Sequence, residues 1–132
     1  MKTEISSNQA QSTEIPSWMR EAFAVIDRRD AAGFARLMTE DGIFRFGNGP
    51  AAIGRPAIES AVAQFFASLG GISHQLERAW SLPDAQALQG VVTYTRPDGK
   101  SFKIPFMDAF VTDKSGLVKE WLVYSDMAPL FS

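Results

Sequence analysis

Apolar positions recur at helical spacing through the first half of the chain and alternate through the second. Ser17 follows Pro16 as a suitable N-cap. Met19, Ala22, Phe23 and Ile26 then fall on one stripe, and Arg28-Arg29 supply the cations that a helix C-terminus favours. Asp30 reads as the N-cap of a short second helix with Phe34, Leu37 and Met38 inward. Asp41-Gly42 turns the chain into a strand from Ile43 to Phe46, closed by Gly47-Asn48-Gly49-Pro50. A third helix opens at Gly54-Arg55-Pro56, presents Ile58, Val62, Phe65, Phe66 and Leu69 on one face, and stops at Gly70-Gly71.

From Ile72 onward the period is two. Strands run from Ile72 to Leu82 and from Leu88 to Arg96, with turns at Pro83-Asp84-Ala85 and Pro97-Asp98-Gly99. A last hairpin, Phe102 to Asp126, turns at Asp113-Lys114-Ser115-Gly116. The predicted order is helix, helix, strand, helix and a four-stranded antiparallel meander. That is an α+β fold with helices packed on one face of a curved sheet. Residues 1–14 are polar and read as a flexible tail ahead of a single domain spanning 15–132.

Composition narrows the function classes. A chain of 132 residues makes one domain with one core. The net charge of −2 gives no electrostatic reason to expect nucleic acid or an anionic membrane as partner. With no cysteine and one histidine, thiol chemistry is excluded, and neither a metal site nor any other cofactor is expected. No apolar run of about 18 residues and no signal pattern occur, so the expected location is the cytoplasm.

The residue that most needs explaining is Asp108, which shares a strand face with Ile104, Phe106 and Phe110. An ionised carboxylate there must be paired, hydrogen-bonded or protonated. Counting across the turns sets Tyr94 opposite Phe102, Val92 opposite Ile104, Gly90 opposite Phe106, Asp108 opposite Trp121 and Phe106 opposite Val123. The same count puts Trp80 near Gly90 and His74 near Arg96, at the far end of the strand; a bulge at any turn would invert part of this assignment. His74 is the one ready acid–base group near neutral pH, and Tyr94 and Arg96 offer a phenol and a cation to a ligand oxygen. Phe44, Phe46, Trp80, Phe106, Trp121 and Val123 are candidate pocket lining. The glycine-rich loop at 47–50 lacks the Lys and Ser/Thr of a phosphate cradle and reads as a turn, while Arg45, Arg55 and Lys100 read as surface charge.

Several landmarks carry a family likeness: Ile26-Asp27 with Asp30, Asp41, Gly54-Arg55-Pro56-Ala57-Ile58, Ser115-Gly116-Leu117-Val118 and Tyr124-Ser125-Asp126. In this order the chain resembles the nuclear transport factor 2-like superfamily, which holds ketosteroid isomerase, limonene epoxide hydrolase, scytalone dehydratase and the SnoaL-type polyketide cyclases. The resemblance covers Trp18 to Asp126 and implies a cone whose curled sheet encloses an apolar pocket. It also implies a homodimer through the outward sheet face of Lys103, Val111, Glu120, Leu122 and Tyr124.

The segment Pro105 to Phe110 resembles the isomerase strand whose aspartic acid is kept neutral to donate to an oxyanion. Phe46 and Ala22 stand where that enzyme keeps its base and tyrosine. The hydrolase's ionisable set falls on Val123, Gly90 and Val92. Neither activity is therefore expected. The resemblance implies a cofactor-independent isomerase, cyclase or lyase for a small apolar oxygenated molecule, with Asp108, His74 and Tyr94 as its chemistry. A non-catalytic ligand-binding domain and a dimerising module remain open, because this scaffold hosts all three.

Overall fold

The computed structural model describes residues 14–131, so the predicted N-terminal tail lies, Glu14 apart, outside the described residues. Helix α1 (Ser17–Asp27) is followed by α2 (Ala31–Arg36), β1 (Met38–Phe46), β2 (Ala52–Ile53) and α3 (Arg55–Ala67). Four long strands complete the chain: β3 (Gly71–Ser81), β4 (Ala85–Thr95), β5 (Ser101–Thr112) and β6 (Val118–Tyr124), with a 3-10 turn at Ala128–Phe131. They form one mixed, mostly antiparallel sheet in the order β2-β1-β6-β5-β4-β3, with β1 parallel to β6. The three helices bury their apolar stripes against its concave face.

The helices follow the periodicity closely. Asp30 caps α2 by accepting a hydrogen bond from the Gly33 amide at 2.8 Å. Ser17 does not cap α1; Pro16 takes that position, and its carbonyl receives the first amides. Strand β1 begins at Met38 rather than Ile43, because fully buried Met38 already pairs with Val118, and Asp41-Gly42 becomes an irregularity inside the strand. Arg55 is not mere surface charge: its Nε donates to the Met38 carbonyl at 2.9 Å and ties the start of α3 to β1. Arg45 likewise donates from Nη2 to the Tyr124 hydroxyl at 3.0 Å.

The β4–β5 register is as predicted, with Gly90 opposite Phe106 and every even-numbered residue from Leu88 to Tyr94 and from Ile104 to Phe110 buried. Only glycine fits at position 90: a Cβ there would run into the Gln75 carbonyl oxygen and come within 2.9 Å of the Phe106 ring. On the last hairpin a bulge at Val111/Thr112 moves the register by two, so Asp108 faces Val123 and Trp121 faces Phe110. A two-residue slide leaves the same side chains inward.

The β3–β4 register differs more. The loop is tighter than predicted, with Leu82 N bonded to the Ala85 carbonyl, and β3 carries a bulge between Leu76 and Arg78. Near the turn the side chains are therefore inverted: Ala79 is buried and Trp80 is turned out. Past the bulge the parity returns, and His74 pairs with Val92 rather than Arg96. Four residues of slide carry His74 about 13 Å along the sheet, from the end of the strand to its middle.

Candidate functional site

The concave face and the helices line a cavity of about 60 Å³. Aromatic side chains from every layer line it: Phe23 from α1, Phe34 from α2, Phe44 and Phe46 from β1, Phe65 and Phe66 from α3, and Phe106 and Trp121 from the sheet. Its polar groups are His74, Tyr94, Asp108 and the indole of Trp121. Eight of the predicted site residues thus meet at one cavity: Asp108, His74, Tyr94, Phe44, Phe46, Phe106, Trp121 and Val123.

Trp80 and Arg96 do not. The bulge sends Trp80 to the outer face, 38% exposed beneath the guanidinium of Arg78. Arg96 sits at the β4–β5 hairpin end, where it pairs with Asp98 (Nη2 to Oδ2, 2.6 Å) and lies over the Phe102 ring.

Asp108 is 3% exposed. Its Oδ2 accepts the Trp121 indole N–H at 2.9 Å, and its Oδ1 has no partner among the described residues. Burial pushes the carboxyl up to about 7, against the smaller opposing pull of the indole hydrogen bond. A buried acid with one satisfied and one orphaned oxygen is, when protonated, a hydrogen-bond donor without an acceptor. Tyr94 is driven well above the ordinary phenol range by burial and then by the charge of Asp108, so it keeps its proton.

The pairing that sequence reasoning missed belongs to Asp27, the last residue of α1. His74 Nδ1 lies 2.6 Å from Asp27 Oδ1, and the His74 backbone amide donates to Asp27 Oδ2 at 3.0 Å. One carboxylate therefore fixes both the ring and the main chain of the histidine. The ring packs edge-on to Phe23 and Phe106, at centroid distances of 4.9 and 5.3 Å. With a carboxylate as acceptor the proton belongs on Nδ1, leaving the Nε2 lone pair on the ring edge away from Asp27.

Helix α1 is stopped where this needs it: Arg29 adopts a left-handed conformation (φ 58°), and its guanidinium donates to the Leu69 carbonyl at the end of α3. A sequence signal was present. A carboxylate in the last turn opposes the helix dipole, so Asp27 is badly placed for helix stability and needs another reason.

Among the described residues no group of three or more His, Asp or Glu side chains could hold a metal ion, and no helix is long and apolar enough to cross a membrane. The cavity instead sets three ionisable side chains, His74, Tyr94 and Asp108, among aromatic walls.

A helix-lined cone of curled sheet around such a cavity defines the nuclear transport factor 2-like, ketosteroid isomerase-like fold. Within it, the chain belongs to the SnoaL-like domain family, whose sequence pattern matches residues 19–121. No curated protein matches the chain by sequence.

Solved structures are similar in fold at low identity. An NTF2-like protein of unknown function from Burkholderia pseudomallei superposes with a TM-score of 0.77 at 14% identity, covering 94% of this chain and 95% of that one. A protein with the ketosteroid isomerase-like fold from Catenulispora acidiphila, in complex with trimethylamine, gives 0.77 at 16% identity over 84% and 86%. A protein of Jannaschia sp. CCS1 described as a SnoaL-like polyketide cyclase gives 0.69 at 18% over 81% and 83%. At these identities the likeness concerns the fold alone.

Proposed function

We propose that the protein is a cofactor-independent acid–base enzyme of the isomerase, cyclase or lyase type, acting on a small, mainly apolar carbonyl compound. One observation carries this reading: a buried carboxyl with a free oxygen and an aspartate-anchored histidine line the same aromatic cavity.

In this mechanism the substrate carbonyl accepts a hydrogen bond from protonated Asp108, and Tyr94 supplies a second neutral donor. His74 Nε2 removes a proton from the carbon beside the carbonyl. The electron pair moves onto the oxygen, where Asp108 stabilises it, and Asp27 stabilises the imidazolium. Returning the proton to another carbon isomerises the substrate. Attack of the enolate on an electrophile in the same molecule closes a ring, and loss of a leaving group one carbon further on makes a double bond. The aromatic walls exclude water, which strengthens each of these interactions.

The experiment needs no natural substrate. Cyclopentanone in D2O exchanges its α-protons, and NMR reads the rate. Wild type should accelerate exchange above buffer, and His74→Ala should lose about 10²-fold or more of that acceleration. Exchange that ignores His74→Ala and Asp108→Asn would sink the proposal.

A second reading has its own support. Rings around a buried carboxylate also suit a small ammonium ion, and the Catenulispora relative was crystallised with trimethylamine. The two readings separate by pH. A cation holds Asp108 ionised and binds more tightly as pH rises through 7, whereas a carbonyl ligand binds less tightly.

The outward sheet face, with exposed Met107 beside Tyr124, supports a homodimer, for which light scattering on the purified protein is the test.

A further inference from the structure

The cavity of about 60 Å³ is small, with room for only a few water-sized groups. A groove of about 1030 Å³ lies beside it on the surface, and the two share Phe46 and Phe65. The rings of Phe46 and Phe65 meet edge-to-face at 4.9 Å, and Phe65 also meets Tyr94 edge-on at 5.8 Å. The inner rings of Phe23, Phe34 and Phe106 are at most 4% exposed, whereas Phe46 and Phe65 are only half-buried. Phe46 and Phe65 therefore line both spaces and stand where the cavity borders the groove. Beyond them, the groove wall presents Met127 and the ring of Phe131, which is 72% exposed.

We propose that Phe46 and Phe65 form a gate that sets substrate size, and that the substrate spans both compartments. A carbonyl-bearing head of a few heavy atoms sits in the cavity, and an apolar tail passes between the two rings onto Met127 and Phe131. This rests on the acid–base reading for the chemistry of the head, but the tail site has its own observation in the shared aromatic wall. A cavity this small cannot hold a multi-ring molecule, so selectivity among small ketones resides in the tail and in the gate.

The test measures calorimetric affinities of cyclopentanone and 2-pentylcyclopentanone for the full chain. Burying a pentyl tail should tighten binding at least about tenfold, since each buried methylene is worth about a factor of four. Phe131→Ala should remove most of that gain and leave cyclopentanone unchanged. Phe65→Ala, with Phe65→Leu as the fold-preserving control, should admit cyclooctanone that the wild type rejects.

A tail gain below about twofold, or one that Phe131→Ala leaves intact, overturns the proposal. So does a groove occupied by a second copy, seen as a dimer that Phe131→Ala dissociates. The acid–base reading fails separately: if the pentyl gain follows Phe131 but neither ketone exchanges its α-protons, the two-compartment site stands and the chemistry does not.

Discussion

Replacing Asp108 with asparagine should change how stability depends on pH, and the size of the change follows from the site. Asparagine keeps a carbonyl oxygen for the Trp121 indole and places an amide where the acid carries its hydroxyl, but it cannot ionise. In the wild type, below pH 3.8 the carboxyl is largely neutral in both the folded and the unfolded chain, so ionisation takes nothing from the fold. Between 3.8 and about 7 the unfolded chain releases this proton and the folded chain holds it, so the folded state loses ground as pH rises. Above that window the loss is complete. A rise from 3.8 to about 7, at about 1.36 kcal/mol per pH unit, amounts to about 4 kcal/mol.

Urea unfolding followed by tryptophan fluorescence, on wild type and Asp108→Asn across this range, gives the difference free of other titrating groups. The variant should gain on the wild type by about 4 kcal/mol between acid and alkaline conditions. Parallel stability profiles would mean that Asp108 titrates normally and is not the neutral donor described above.

Trp121→Phe should destabilise the protein by about 1–3 kcal/mol, because it leaves Asp108 Oδ2 buried without its donor. Having lost the one hydrogen bond that favours ionisation, it should also push the Asp108 midpoint above 7, read by the same pH series. Gly90→Ala should cost about 1–3 kcal/mol, since a methyl group there meets the Gln75 carbonyl and the Phe106 ring; thermal melting checks this. Asp27→Asn should lower the α-proton exchange rate while leaving cyclopentanone affinity nearly unchanged, because Asp27 orients the base without lining the cavity. Equal losses of rate and affinity would assign Asp27 to the binding surface instead.

Much of the fold was legible because the apolar pattern is strong where it matters. The helix stripes of Met19, Phe23 and Ile26 and of Ile58, Val62 and Phe66 are buried as their spacing requires, and Pro97-Asp98-Gly99 set the β4–β5 register correctly. The errors on β3 share one cause. Strand parity propagates from turns, and one tight Leu82–Ala85 loop with a bulge after Leu76 is enough to shift it. That one misjudgement exposed Trp80 and took His74 away from Arg96, placing it further along the strand opposite Val92.

The candidate site was half legible. A lone acid on an apolar strand face announces itself, as Asp108 did. Asp27 stands 47 residues from its histidine, and only the packing of α1 across β3 brings the two together. The shared placement of Phe46 and Phe65 was equally hidden, since nothing in an aromatic residue's sequence position says that it borders two spaces.

The central claim is that Asp27 holds His74 so that an unprotonated Nε2 faces the space where Asp108 offers a proton. The chain contains one histidine, so nitrogen-15 NMR of the imidazole reports on it without ambiguity. In the neutral tautomer the proton should sit on Nδ1, and the Nε2 resonance should move when cyclopentanone binds. A proton on Nε2, with Nδ1 accepting from a protonated Asp27, would leave the cavity without a base and contradict that claim.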